Sequence, residues 1–141
     1  MYLDNDGRMH SSHVTIYASE IEYGQQAQLA VAKSHLKPAV FQKIPYAAAH
    51  MMGGVSALVT SLGYRENGGN FPASTLLHLA DVGRIPVAIL SGHPYAKRLV
   101  RNNSSDIAIP PHPIEEIFPT LMEWLKGIRG DVDLDLLRES A

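Results

Sequence analysis

The sequence predicts an α/β fold: one three-layer domain over residues 1–141, with a mostly parallel sheet of about four strands covered by helices. Three observations predict it. Short β-branched or apolar segments alternate with Ala- and Leu-rich ones, as in parallel strands joined by crossover helices. Ile85–Leu90 is a nearly unbroken apolar run, the signature of a strand buried on both faces. The 141 residues include no Cys. A chain of this length buries about 68–70% of its unfolded surface, so no disulfide or metal staple is needed.

The elements follow in chain order. Asp4-Asn5-Asp6-Gly7 is a turn signal, because these residues tolerate positive φ. Residues 1–9 are thus expected as a hairpin or a frayed terminus. His13–Glu22 alternates around Val14, Ile16, Ala18 and Ile21 and reads as the first strand, ended by Gly24. Gln25–His35 is rich in helix formers, and Pro38 ends it. Ala39–Ile44 reads as a second strand, stopped by Pro45.

Tyr46–Leu62 reads as a helix. Its Ala49, Gly53, Ala57 and Ser61 recur at helical spacing and would form one ridge of small residues. The stretch Tyr46–Tyr64 holds no Asp, Glu, Lys or Arg. It has too few large apolar side chains to span a membrane, so a buried core helix is expected. Ser74–Val82 is the next helix, with Ser74 or Thr75 as N-cap and Gly83 at C′. The strand Ile85–Leu90 leads to a short helix Pro94–Arg101, and Asp106–Ile109 is a further strand. Residues 113–141 are C-terminal helices. Ile114, Ile117, Phe118, Leu121, Leu125 and Ile128 form one apolar stripe. Pro119 kinks it or marks the start of its second half, and Asp131 or Asp133 caps a last short helix.

Composition narrows the function classes. The formal net charge is −2 with no long run of like charge, which disfavours nucleic acid as a partner. Residues 1–9 are polar and carry no secretory signal. With the absence of Cys, this fits a cytoplasmic protein with no membrane partner. The Asp4–Gly7 run resembles the opening of a calcium loop, but the required downstream Glu is missing. His10 and His13 would fall on opposite faces of a continuous strand, which argues against a shared metal. No cofactor is specified by any motif.

In open parallel sheets, ligands bind beyond the carboxyl ends of the strands. Two loops there carry suitable chemistry. Ser91-Gly92-His93-Pro94-Tyr95 leaves the buried strand and opens a helix, whose N–H groups and dipole favour an anion. Ser91, Gly92, Tyr95 and Arg98 are the expected ligand-binding residues on that side. The second loop supplies Gly68, Gly69 and Asn70, whose backbone would close the pocket. His93 or His50 would carry a proton if there is catalysis, because histidine titrates near neutral pH. Glu66 would serve as a base only if it faces the pocket. No nucleophile elbow or Ser/His/Asp order is present.

Leu76–Val82 followed by Ile85–Ala88 resembles the late helix and strand of methylglyoxal-synthase-like domains. The phosphate-binding Gly-Thr-Thr-Gly turn and catalytic Asp loop of that family are not found in this sequence. The resemblance therefore implies no site residue and no activity. The residues point instead to a protein that binds a small phosphate- or carboxylate-bearing metabolite, with or without catalysis. The alternative is a non-catalytic homo-oligomer, ligand-binding or structural and regulatory, assembled through the small-residue helix 46–62 and the C-terminal amphipathic helix.

Overall fold

The structure, a computed structural model, describes residues 2–3, 9–10, 12–63, 72–102 and 104–140, with side chains from Ser12 to Ile128. Strands β1 (Tyr2–Leu3) and β2 (Met9–His10) pair antiparallel, the hairpin of the two expected alternatives. The turn Asp4–Gly7 lies outside the described residues.

The main sheet has five strands: β3 (His13–Tyr17), β4 (Lys37–Phe41), β5 (Ala57–Ser61), β6 (Val87–Leu90) and β7 (Ile107–Ile109). All its pairings are parallel, in the order β4-β3-β5-β6-β7. The helices between them are α1 (Ile21–Lys33), α2 (Ile44–Met52), α3 (Ser74–Gly83) and α4 (Pro94–Leu99). A 3₁₀ turn at Ile114–Glu116 leads into α5 (Ile117–Ser140). Among the described residues, no helix is long and apolar enough to cross a membrane.

Strand alternation divides the core in two. Val14, Ile16, Val59, Ala88 and Leu90 point to one face, where Ala27, Ala30 and Val31 of α1 meet Leu121 and Leu125 of α5. Tyr17, Leu58, Val87 and Ile89 point to the other, against Ala47 and Met51 of α2, Leu76 and Ala80 of α3, and Ala96 of α4. The expected three layers are present.

The fifth strand replaces half of an expected helix. α2 stops at Met52, Gly53 caps it, and Gly54 takes φ +98°. The chain then turns into β5, buried along its whole length. A strand buried on both faces shows no alternation, and its Leu58-Val59-Thr60 centre favours extended backbone. The ridge of small residues therefore does not form. Ala49 is helical, Gly53 lies in a turn, and Ala57 and Ser61 belong to a strand. Assembly through a 46–62 helix falls with it.

Several boundaries also differ. β3 ends at Tyr17, and Gly24 lies inside α1 rather than ending a strand. A Cβ there would stand 3.2 Å from Val40 Cγ1 and 3.4 Å from Ala18 Cβ, so glycine lets α1 lie close on the sheet. Gly83 is the last residue of α3, and Arg84 takes the left-handed cap at φ 55°. Pro119 lies in the first turn of α5, where its missing N–H has no intrahelical partner to lose. α5 then runs on to Ser140, with no separate helix beginning at Asp131 or Asp133.

β4 is one of the two outer strands of the sheet. Lys37 N–H bonds Ser12 O at 2.8 Å, and Phe41 O accepts from Ala18 N–H at 3.2 Å. The odd-numbered residues of β4 thus face β3, while Pro38 and Val40 present their backbone outward.

Candidate functional site

The chain crosses over differently on either side of β3. After β3 it enters α1, on the α5 face; after β5 it enters α3, on the opposite face. The carboxyl ends of β3 and β5 therefore flank a crevice, the place where ligands bind in such sheets.

Two serines meet there. Ser61, at the end of β5, is 4% exposed. Its Oγ accepts the Ser19 N–H at 3.0 Å, stands 3.4 Å from Ser19 Oγ and donates to Tyr17 O at 3.5 Å. Thr60 Oγ1 donates to Ser61 O at 2.7 Å and fixes the strand end. Beside them, at the ends of β3 and β4, lies a cleft of ≈ 490 Å³. Ala18, Glu20, Ile21, Phe41, Lys43 and Tyr46 are among its walls. That volume is in the range of small-molecule sites.

Glu66, Gly68, Gly69 and Asn70 lie outside the described residues. The stems of their loop are described, at the carboxyl end of β5. Ala73 N–H bonds Leu62 O at 3.1 Å. Gly63 takes φ +77°, and a Cβ on it would stand 2.8 Å from Pro72 Cγ. Gly63→Ala should therefore cost more than about 1 kcal/mol in urea denaturation, since an L-residue is strained at this φ and the space is filled. An unchanged midpoint would show that the stem does not need its glycine.

Ser91, Gly92 and His93 leave the adjacent strand β6. Ser91 N–H bonds Ile109 O at 3.0 Å and ties the loop to β7. Ser91 Oγ accepts His93 N–H at 3.1 Å, and His93 Nδ1 accepts Tyr95 N–H at 3.0 Å. Pro94 has no N–H to offer. Two amides of the loop, those of His93 and Tyr95, are thus engaged by its own side chains, and His93 acts as an N-cap. Tyr95 and Arg98 are exposed on α4.

His50 lies elsewhere. It belongs to the last turn of α2 and shares a 2.6 Å hydrogen bond with Thr15 Oγ1 through Nδ1. Its pKa is lowered, first by burial and then by His13. His50 thus lies over the middle of β3, between His13 and Phe41, and not in the loop after β6 that carries His93. Arg101, just beyond α4, ion-pairs with Asp106 at 2.7 Å.

Two contacts at the carboxyl end had no signal in the sequence. Ser19 and Ser61 are 42 positions apart. Tyr23 OH and His112 Nε2, 89 positions apart, share a 2.9 Å hydrogen bond that joins the first turn of α1 to the loop after β7. The Tyr23 pKa is raised, first by burial and then by the Glu20 and Glu22 carboxylates, so its phenol keeps its proton.

No family model and no curated protein matches the sequence. Among solved structures, the chain is similar to the chemotaxis response regulator CheY4 of Vibrio cholerae. The two are 13% identical, and the match covers 82% of this chain and 99% of that one at TM-score 0.56. It is also similar to a chain in which the yeast Spc42 trimeric coiled coil, amino acids 181–211, is a fusion partner. That match is 13% identical and covers 94% and 93% of the two chains at TM-score 0.54. These likenesses concern the fold: a CheY-like, flavodoxin-type parallel sheet.

Proposed function

We propose that this chain is a small regulatory module of response-regulator type that binds a phosphate- or carboxylate-bearing metabolite where β3 and β5 end. Binding, rather than catalysis, is the role of the site. The observation that carries this reading is the Ser19–Ser61 pair: two hydroxyls and one amide N–H converge at the switch point of the sheet. A ligand oxyanion is a stronger acceptor than the Ser61 hydroxyl and would draw these donors to itself. Lys43, on the rim of the adjoining cleft, would supply the positive charge. The regulatory setting draws support from the likeness to a chemotaxis response regulator. Against catalysis, His50 is bonded to Thr15 in the middle of β3, and His93 uses Nδ1 as a helix cap.

Thermal unfolding with inorganic phosphate, and with a dicarboxylate, against chloride at equal ionic strength tests this. Ligand at a hundredfold excess over Kd adds about 2.7 kcal/mol, a rise of several degrees in Tm for a chain of this size. The rise should disappear in Ser61→Ala. If no anion raises Tm, or Ser61→Ala responds like the parent chain, the crevice is not an anion site.

A further inference from the structure

The cleft beside the serine pair holds more than a place for an anion. β3 and β4 run parallel with Tyr17 opposite Phe41, so the two strands end together. The chain then enters α1 through Glu20 and α2 through Lys43. A carboxylate and an ammonium thus stand at one opening. Both residues are exposed, and among the described residues no ion pair joins either to another side chain. Large apolar side chains share the cleft with them. Ile21, in the first turn of α1, is 64% exposed, and Tyr46, in the first turn of α2, is 63% exposed. Val40 and Phe41 of β4 complete this apolar part. Apolar side chains gathered in the open around one hollow are a common mark of a ligand site.

We propose that the ligand of the crevice is a free α-amino acid with a large apolar side chain, of the phenylalanine or leucine kind. This rests on the anion site proposed above and narrows its ligand. Glu20 is the reason. Ser19 stands between Ala18 and Glu20, both in the wall of the cleft. An oxyanion drawn to the Ser19 N–H and the serine hydroxyls would therefore lie close to a carboxylate, which repels it. A dianion such as phosphate meets that repulsion more strongly. A ligand with its own ammonium on the neighbouring carbon turns the repulsion into attraction. Its carboxylate takes the serine donors and Lys43, and its ammonium takes Glu20. Its side chain then covers Ile21, Val40, Phe41 and Tyr46. The cleft of ≈ 490 Å³ has room for one such molecule. A peptide does not offer the same head, because its ammonium and carboxylate stand at opposite ends.

Calorimetric titration of the full chain with L-phenylalanine, hydrocinnamate and phenethylamine, with inorganic phosphate alongside, is the test. Hydrocinnamate lacks only the ammonium, and phenethylamine only the carboxylate. Hydrocinnamate should bind about fivefold more weakly than phenylalanine, the upper value for one exposed ion pair. Phenethylamine, without the group that the serines hold, should bind more weakly still. Glu20→Gln should remove the difference between phenylalanine and hydrocinnamate. It should also bind hydrocinnamate more tightly than the parent chain does, a gain that misfolding cannot imitate. Tyr46→Ala should weaken phenylalanine by about tenfold. The amino-acid proposal is overturned if phosphate binds and phenylalanine does not, or if hydrocinnamate binds as tightly as phenylalanine; the anion site then stands without it. If neither phenylalanine nor phosphate binds, or if phenylalanine binding survives Ser61→Ala, the anion site falls as well.

Discussion

Arg101→Ala should destabilise the protein by about 3–5 kcal/mol. The Asp106 side chain is 1% exposed. It accepts four hydrogen bonds: from Val87 N–H, from Arg101 N–H, and from Arg101 Nε and Nη2. The same guanidinium reaches Ala80 O at 3.2 Å and Ile85 O at 2.5 Å. One side chain thus ties the end of α3 and the approach to β6 to the approach to β7. Removing it leaves a carboxylate buried without its cation, and that penalty dominates. The pH dependence is part of the prediction. Burial pushes the Asp106 carboxyl up, but the bonds from Arg101 and Val87 outweigh it, and its folded pKa is lowered. Its stabilisation is therefore complete above the ordinary aspartate value of about 3.9. It is lost as pH falls through the lower folded value. In Arg101→Ala, burial is left with less opposition. The difference between variant and parent should shrink in acid, as the buried carboxyl takes up a proton. Urea denaturation at neutral pH and below pH 4 measures both. A change under about 1 kcal/mol at neutral pH, or a difference that grows in acid, would count against this account.

Leu121→Ala should cost about 3–5 kcal/mol. Leu121 is fully buried in the cluster where α5 packs against α1. The α1 residues in that cluster are Ala27, Ala30 and Val31. Such short side chains have few rotamers and cannot swing into the space a leucine leaves. The cavity should persist, which places the loss toward the upper part of the range for leucine truncations. Chemical denaturation gives the value directly. A loss below about 2 kcal/mol would mean that α5 collapses onto α1 after all.

The sequence announced some of this architecture and concealed the rest, for physical reasons. β6 was visible because a continuous apolar run bounded by Pro86 and Gly92 has few other uses. β5 was concealed by the same kind of burial. Enclosed on both faces, it shows no alternation, and its small residues fell by chance at helical spacing. The punctuation was present in Gly53-Gly54, but only the φ of +98° at Gly54 identifies a chain reversal rather than a helix with two glycines. At the candidate site, the Ser91–His93 loop could be located from its neighbours. Its chemistry could not, because a histidine that caps a helix and one that awaits a ligand look the same in a sequence. Ser19 and Ser61 meet only because β3 and β5 pair in parallel with Tyr17 opposite Thr60. That pairing is set by tertiary structure, and no local pattern encodes it.

The outward border of β4 bears on how copies of the chain behave toward one another. An ordinary sheet margin offers alternating donors and acceptors to any extended segment that arrives, and growth of ordered aggregates begins from such margins. Pro38, paired with Val14 on its inner side, leaves the outward border without a donor at that position. Only Val40 presents an N–H outward within the strand. A neighbouring copy arriving at this border finds a template with half of its donors erased. Pro38→Ala would restore a regular margin while leaving every bond to β3 in place. A variant that folds normally and yet polymerises sooner under mild heating would locate the safeguard in that one ring.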